Sequence, residues 1–212
     1  MNAIARYTFL VGLLLMIIPL FVPIWEIYLE APQYPDPIGM YISIDNVRGI
    51  GEYDLENINL LNHYIGMKKI IPESIPELRF MKYVIYGFLS SGIVVFFFKK
   101  KWLLYTWTLA LIVTALIALY DFNLWEHNYG HDLDPMAPIK VPGMSYKPPL
   151  LGKKHLLNIT ATSLPSSGGI AFIACIILAS SASVIAYFGS KDFSNTHKPT
   201  PNTKIELEKP FI

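Results

Sequence analysis

MKYVIYGFLSSGIVVFFFKKKWLLYTWTLALIVTALIAL, residues 81–119, decides the fold. Two apolar runs, about Met81 to Phe98 and about Trp102 to Leu119, are separated only by Lys99, Lys100 and Lys101. Each is close to the ~20 residues with which an α-helix crosses about 30 Å of hydrocarbon. The lysine turn is too short to hold a domain, so the pair is a transmembrane hairpin. Short lysine-rich loops stay in the cytoplasm, and parity from this turn orients the rest.

Working outward, two more apolar blocks complete a set of four: Thr8 to about Trp25, and about Gly168 to Phe188. In the first, Arg6 precedes the apolar core as it would in a secretory signal. Val22-Pro23-Ile24-Trp25 gives no small-x-small cleavage site, so an uncleaved span is expected. Pro19 and Pro23 should kink or end it. Trp25, Trp102, Trp107 and Trp125 fall near span ends, where indoles anchor at the interface. The expected class is an all-α membrane protein. A four-helix transmembrane bundle would carry two long periplasmic loops that form a small cap.

The expected divisions are a first transmembrane helix over 1–25, periplasmic loop one over 26–80, and transmembrane helices two and three over 81–121. Periplasmic loop two over 122–167, a fourth helix over 168–189 and a cytoplasmic tail over 190–212 follow. Both termini are then cytoplasmic and the membrane is the cell inner membrane. Lys191 beyond the fourth span agrees with this; Lys153 and Lys154 disagree but stand well before it.

Composition excludes several classes. Charged residues make up 16% of the 212 against 53% hydrophobic, well below the ~25% charge of a soluble domain. A net charge of +1 gives no basic surface for nucleic acid. The single cysteine, Cys175, lies within an apolar block and leaves no disulfide framework, Cys-x-x-Cys pair or thiolate zinc site. No nucleophile–base–orienter set stands out, so no enzymatic activity is expected. Ser166-Ser167-Gly168-Gly169 lacks the lysine of a phosphate loop. The spans hold almost no ionisable groups, which argues against a pump or transporter working alone.

The loops carry the chemistry. Met40 to Ile44 alternates like a short strand, Arg48 to Gly51 reads as a turn, and Ile58 to Tyr64 has helical spacing. His127 and His131 are four apart; if the third span continues as a helix beyond the membrane, both imidazoles share one face and can bind one metal. The alternative is an interfacial pair bonded to headgroups or loop carbonyls. Asp121 and Glu126 are either acceptors that orient an imidazole or solvated charges. His63 and Met67 repeat the spacing in loop one, and Met136 and Met144 are further sulfur donors. Imidazole with thioether suits copper, Cu(I) above all, although a lone methionine also packs.

Asn59-Leu60-Leu61-Asn62-His63-Tyr64-Ile65-Gly66-Met67, followed by Ile70 and Pro72, and the long stretch from Tyr129 to Gly152 resemble signatures of a small family of bacterial multi-pass membrane proteins. Its members are encoded with periplasmic copper enzymes, chiefly nitrous oxide reductase and its copper-maturation accessory proteins. The resemblance covers both outer loops and the span arrangement, not the tail. It implies a role in supplying copper or electrons to such an enzyme, and it assigns no ligands. The expected partners are the lipid bilayer and a copper enzyme or its maturation factors. Three roles stay open: a copper-handling accessory, an electron-transfer subunit fed by quinol, and a non-catalytic anchor for a larger envelope complex.

Overall fold

Helix α1, Ala3–Leu15, starts where the Asn2 side chain accepts the Ala5 N–H at 3.0 Å, satisfying one of the free N–H groups of a helix start. Pro19 sits in the 3-10 turn Ile18–Leu20 that ends this block. The computed structural model describes residues 1–139, 143, 145–156 and 158–189. The other long helices are α3, Pro76–Phe98; α4, Lys101–His131; and α5, Ser167–Phe188. Among the described residues, four helical segments are long and apolar enough to cross a membrane: Ala3–Leu20, α3, α4 and α5.

The helices run alternately up and down. The Met1 ammonium donates to the Lys99 carbonyl at 3.0 Å, and a side chain at Gly189 would meet the Asn2 amide at 2.5 Å. Asn2, the lysine turn and the end of α5 therefore share one end of the bundle. Everything between α1 and α3, and between α4 and α5, lies at the other.

The bundle interior is built on close approach. Small residues Cys175, Ala179, Ala182 and Ala186 of α5 are buried, and α1 packs on α5 more extensively than on any other helix. Trp107 holds the opposite side. Phe9 and Phe88 meet its ring edge-on at 4.9 and 5.7 Å, and its indole N–H donates to the Phe88 carbonyl and the Ser91 hydroxyl. The outward faces are apolar, with Ile117 62% and Ile177 58% exposed, as a lipid-facing surface requires.

The cap contains a sheet beside its helix, which corrects the purely all-α class. It is a five-stranded antiparallel sheet in the order β3-β2-β1-β5-β4. The strands are β1, Trp25–Glu30; β2, Ile38–Ile42; β3, Val47–Gly49; β4, Gly152–Leu156; and β5, Ile159–Pro165. The central pair, β1 with β5, runs in register from Trp25↔Pro165 to Glu30↔Thr160. Its partners are far apart in sequence, so neither strand announces the pairing locally. The Trp25 indole N–H donates to the Ser163 hydroxyl at 2.7 Å across this pair.

Helix α2, Asp54–Ile65, covers the sheet with the far end of α4. Ile27, Ile38, Met40, Val47 and Ile58 form the cap core with Phe122, Trp125 and Tyr129 of α4 against it. At 1.5 Å per residue, about twenty residues of α4 suffice to cross hydrocarbon. Its last eleven, 121–131, belong to the cap. Asp54 ties the turn after β3 to β2, its carboxylate accepting the Gly39 and Gly51 N–H groups, each at 2.9 Å. The observed bounds shift the expected divisions. Trp25 opens a strand, α3 begins five residues before 81, and α4 continues well into 122–167. Met144 and the tail from residue 190 lie outside the described residues.

Candidate functional site

The two signature stretches are one docked unit. Gly66 ends α2 in the left-handed conformation, φ 82, which glycine adopts without the Cβ penalty. Its carbonyl accepts the Asp134 N–H at 2.8 Å, and a Cβ there would meet Ala137 and Asp134 at 3.0 Å. The Tyr64 carbonyl accepts the Ile139 N–H at 2.9 Å, and Lys68 pairs with Asp132. Two asparagines of the first stretch hold the return of the chain. Asn59 exchanges two hydrogen bonds with the Ile70 backbone at 2.7 and 3.1 Å, and the Asn62 amide donates to the Lys68 carbonyl at 3.2 Å.

The chain reversal at Gly66 separates the pair His63 and Met67. His63 is exposed on α2, whereas Met67 is past the helix end and lines an interior cavity. Their four-residue spacing does not give them a common helical face.

His127 and His131 do share a face, because α4 stays helical to His131. Their rings stack, centroids 3.9 Å apart and 24° between planes. Both are exposed. The His131 Nδ1 lies 3.0 Å from the His127 carbonyl. A carbonyl only accepts, so in the neutral ring Nδ1 carries the proton and Nε2 the lone pair. That is the tautomer a metal-ligating imidazole uses when its other nitrogen is held by a carbonyl. The Ser145 hydroxyl approaches the same Nδ1 at 3.4 Å. Among the described residues, no group of three or more His, Cys, Asp or Glu side chains has the arrangement of a metal site. The pair offers two ligands, and Met136, 83% exposed on the neighbouring loop, is a free thioether.

Glu126, on the buried side of the same helical turn, was legible only as a surface charge or an imidazole acceptor. It is neither. It is fully buried, and neither carboxyl oxygen has a hydrogen-bond partner among the described residues. Burial raises its pKa from 4.5 to about 7, against the opposing pull of the Lys147 and Lys154 charges. The buried Tyr146 hydroxyl is likewise unpartnered. Both residues line a cavity of about 60 Å³ between the sheet, α2 and α4, with Met40, Met67, Asn62 and Trp125. The remaining wall is almost entirely Ile and Leu.

Residues 145–150 close this cavity on one side. The Tyr146 N–H donates to the Gly130 carbonyl at 3.0 Å, and the Lys147 ammonium donates to the Asn123 side chain. Gly130 is required here, since a Cβ would collide with the Lys147 backbone. No protein-family model matches the chain, and no curated protein matches it.

Proposed function

We propose that the chain is an integral inner-membrane accessory protein that handles copper on its periplasmic cap and supports the assembly or supply of a periplasmic copper enzyme of the nitrous oxide reductase kind. The observation that carries this reading is the His127–His131 pair. Two exposed imidazoles stack on one helix face, and the His131 Nδ1 lies 3.0 Å from the His127 carbonyl. Two ligands bind Cu(I) loosely enough for hand-over to a partner, whose own donors complete the shell. His63, Met67, Met136 and Met144 remain the other proposed donors. The lysine turn favours the cytoplasm for its end of the bundle, and the cap lies at the opposite end.

The deciding experiment is a Cu(I) titration of purified protein against a chromophoric Cu(I) competitor. The His127→Ala/His131→Ala variant should bind more weakly than wild type. Equal affinities would remove this pair from the metal path.

A non-catalytic anchor for a larger envelope complex is the second reading. The observation favouring it is the exposed apolar surface of the docked loops, with Tyr64 45%, Ile139 48% and Met136 83% exposed. Co-purification of a partner in mild detergent, lost in Met136→Asp/Ile139→Asp, is its expected mark.

A further inference from the structure

We propose that the cavity between the sheet, α2 and the far end of α4 binds one soft monovalent metal ion, Cu(I), through the thioethers of Met40 and Met67, with the Glu126 carboxylate as its counter-charge. The identity of the ion rests on the copper-handling role proposed above; the location rests on the cavity alone.

Glu126 is the starting point. A carboxyl with both oxygens buried and unbonded costs free energy that folding alone does not recover. The cap nevertheless keeps it, at 0% exposure, beside the Tyr146 hydroxyl, a second buried group without a partner among the described residues. Both line the same cavity. A bound cation gives the carboxylate oxygens the direct partner that they lack among the described residues, the condition under which a buried charge is tolerated.

The walls choose among cations. A hard divalent ion asks for six or more oxygens. Four residues supply side-chain oxygens to this lining: Glu126, Asn62, Tyr129 and Tyr146. The Tyr129 hydroxyl is already committed to the Lys69 carbonyl. Two methionines line the same space, and sulfur donors select Cu(I). With a single carboxylate in the lining and the Lys147 and Lys154 charges already acting on it, a monovalent ion is repelled less than a divalent one. The Trp125 and Tyr129 rings add aromatic surface that attracts a desolvated cation. A volume of about 60 Å³ admits an ion and is far below the several hundred Å³ of a cofactor or drug-sized ligand.

The approach also fits. Residues 145–150 cover the cavity, and Ser145 at their start touches His131. The stretch that touches the exposed pair thus also lines the cavity, through Tyr146 and Pro148. An ion met by the pair can pass inward when that stretch lifts from Gly130.

The test uses the full chain in detergent under anaerobic conditions, with Cu(I) delivered against a chromophoric competitor. Wild type, Met40→Leu/Met67→Leu, Glu126→Gln and His127→Ala/His131→Ala are compared. Cys175→Ala runs in parallel to subtract the one thiol. The methionine variant should lose one bound ion per chain, and Glu126→Gln should weaken that ion at least about tenfold. The histidine variant should keep it. Leucine conserves volume, and Glu126→Gln carries the test alone should the methionine variant misfold. Wild-type stoichiometry and affinity in a folded methionine variant would overturn the cavity site. If the histidine variant then loses the ion, the copper role stands without this site. Wild type that takes up no Cu(I) overturns both. Displacement of Cu(I) by millimolar Na⁺ or K⁺ would overturn the soft-ion assignment.

Discussion

Ile177 on α5 is 58% exposed and Ile117 on α4 is 62% exposed, while Ile58 and Ile27 in the cap keep 2% and 1%. The same side chain faces outward in one region and inward in the other, because the surroundings differ. Around the bundle, lipid is the apolar phase, and many large side chains face it, while the interior mixes the small residues of α5 with Phe9, Leu104, Trp107 and Leu111. Around the cap, water surrounds the surface, and the protein must supply its own apolar interior. A polar group therefore means different things in the two places. Thr108 and Ser183 in the bundle satisfy each other at 3.1 Å. Glu126 in the cap satisfies nothing among the described residues, and it is the residue that departs from the logic of its region.

The comparison breaks most visibly at Gly130. Gly130→Val drives a side chain into the Lys147 backbone and should detach residues 145–150 from α4, at a cost above about 3 kcal/mol. Hydrogen exchange at the Tyr146 amide, protected in wild type by the Gly130 carbonyl, should become fast. Next, Ile58→Ala should destabilise the cap by about 2–5 kcal/mol, whereas Ile177→Ala should stay within about 0.5 kcal/mol. Similar losses in detergent melting would erase the distinction between the two regions.

A third measurement concerns pH. Folded Glu126 holds its proton up to about 7, while the unfolded carboxyl releases it near 4.5. Its share of cap stability is thus present below pH 4.5 and lost as pH rises through 7. The expected loss is up to about 3 kcal/mol, less what solvent screening removes. The groups facing it are the Lys147 and Lys154 charges and the Tyr129 and Tyr146 phenols. In Glu126→Gln this slope should vanish. The smallest effect belongs to Lys68→Ala. Its partner Asp132 and Lys68 itself are 70% and 56% exposed, and such pairs contribute little once salt screens them. No shift in melting at physiological salt is expected.

The four spans were legible because lipid demands a long apolar run and the lysine turn punctuates it. The local elements of loop one were legible for the same kind of reason: the alternation over Met40 to Ile44 overlaps β2, which ends at Ile42, and the helical spacing over Ile58 to Tyr64 falls within α2. The sheet as a whole was hidden. Trp25 sits at the end of an apolar block and reads as its last residue. Lys153-Lys154-His155 in β4 reads as a polar loop, since both lysines and the histidine are exposed. For the candidate site, continuation of α4 to His131 is compatible with the absence of any proline between Lys101 and Pro135, Gly130 notwithstanding. The fate of Glu126 was not legible, because its burial depends on Tyr146 and Pro148 folding back across it. The separation of His63 from Met67 turns on a single residue, Gly66, whose positive φ reverses the chain.

The pairing of β1 with β5 has a bearing on how the molecule is made. Strand β1 leaves the ribosome more than a hundred residues before β5, and it must wait beside β2 with its other edge open. Only when Ile159–Pro165 has emerged on the same side of the membrane can that edge close, immediately before α5 is inserted. Biogenesis of the cap is therefore a late event, coupled to delivery of the last helix. A chain that stalls before residue 159 displays an unpaired strand for quality-control proteases to find.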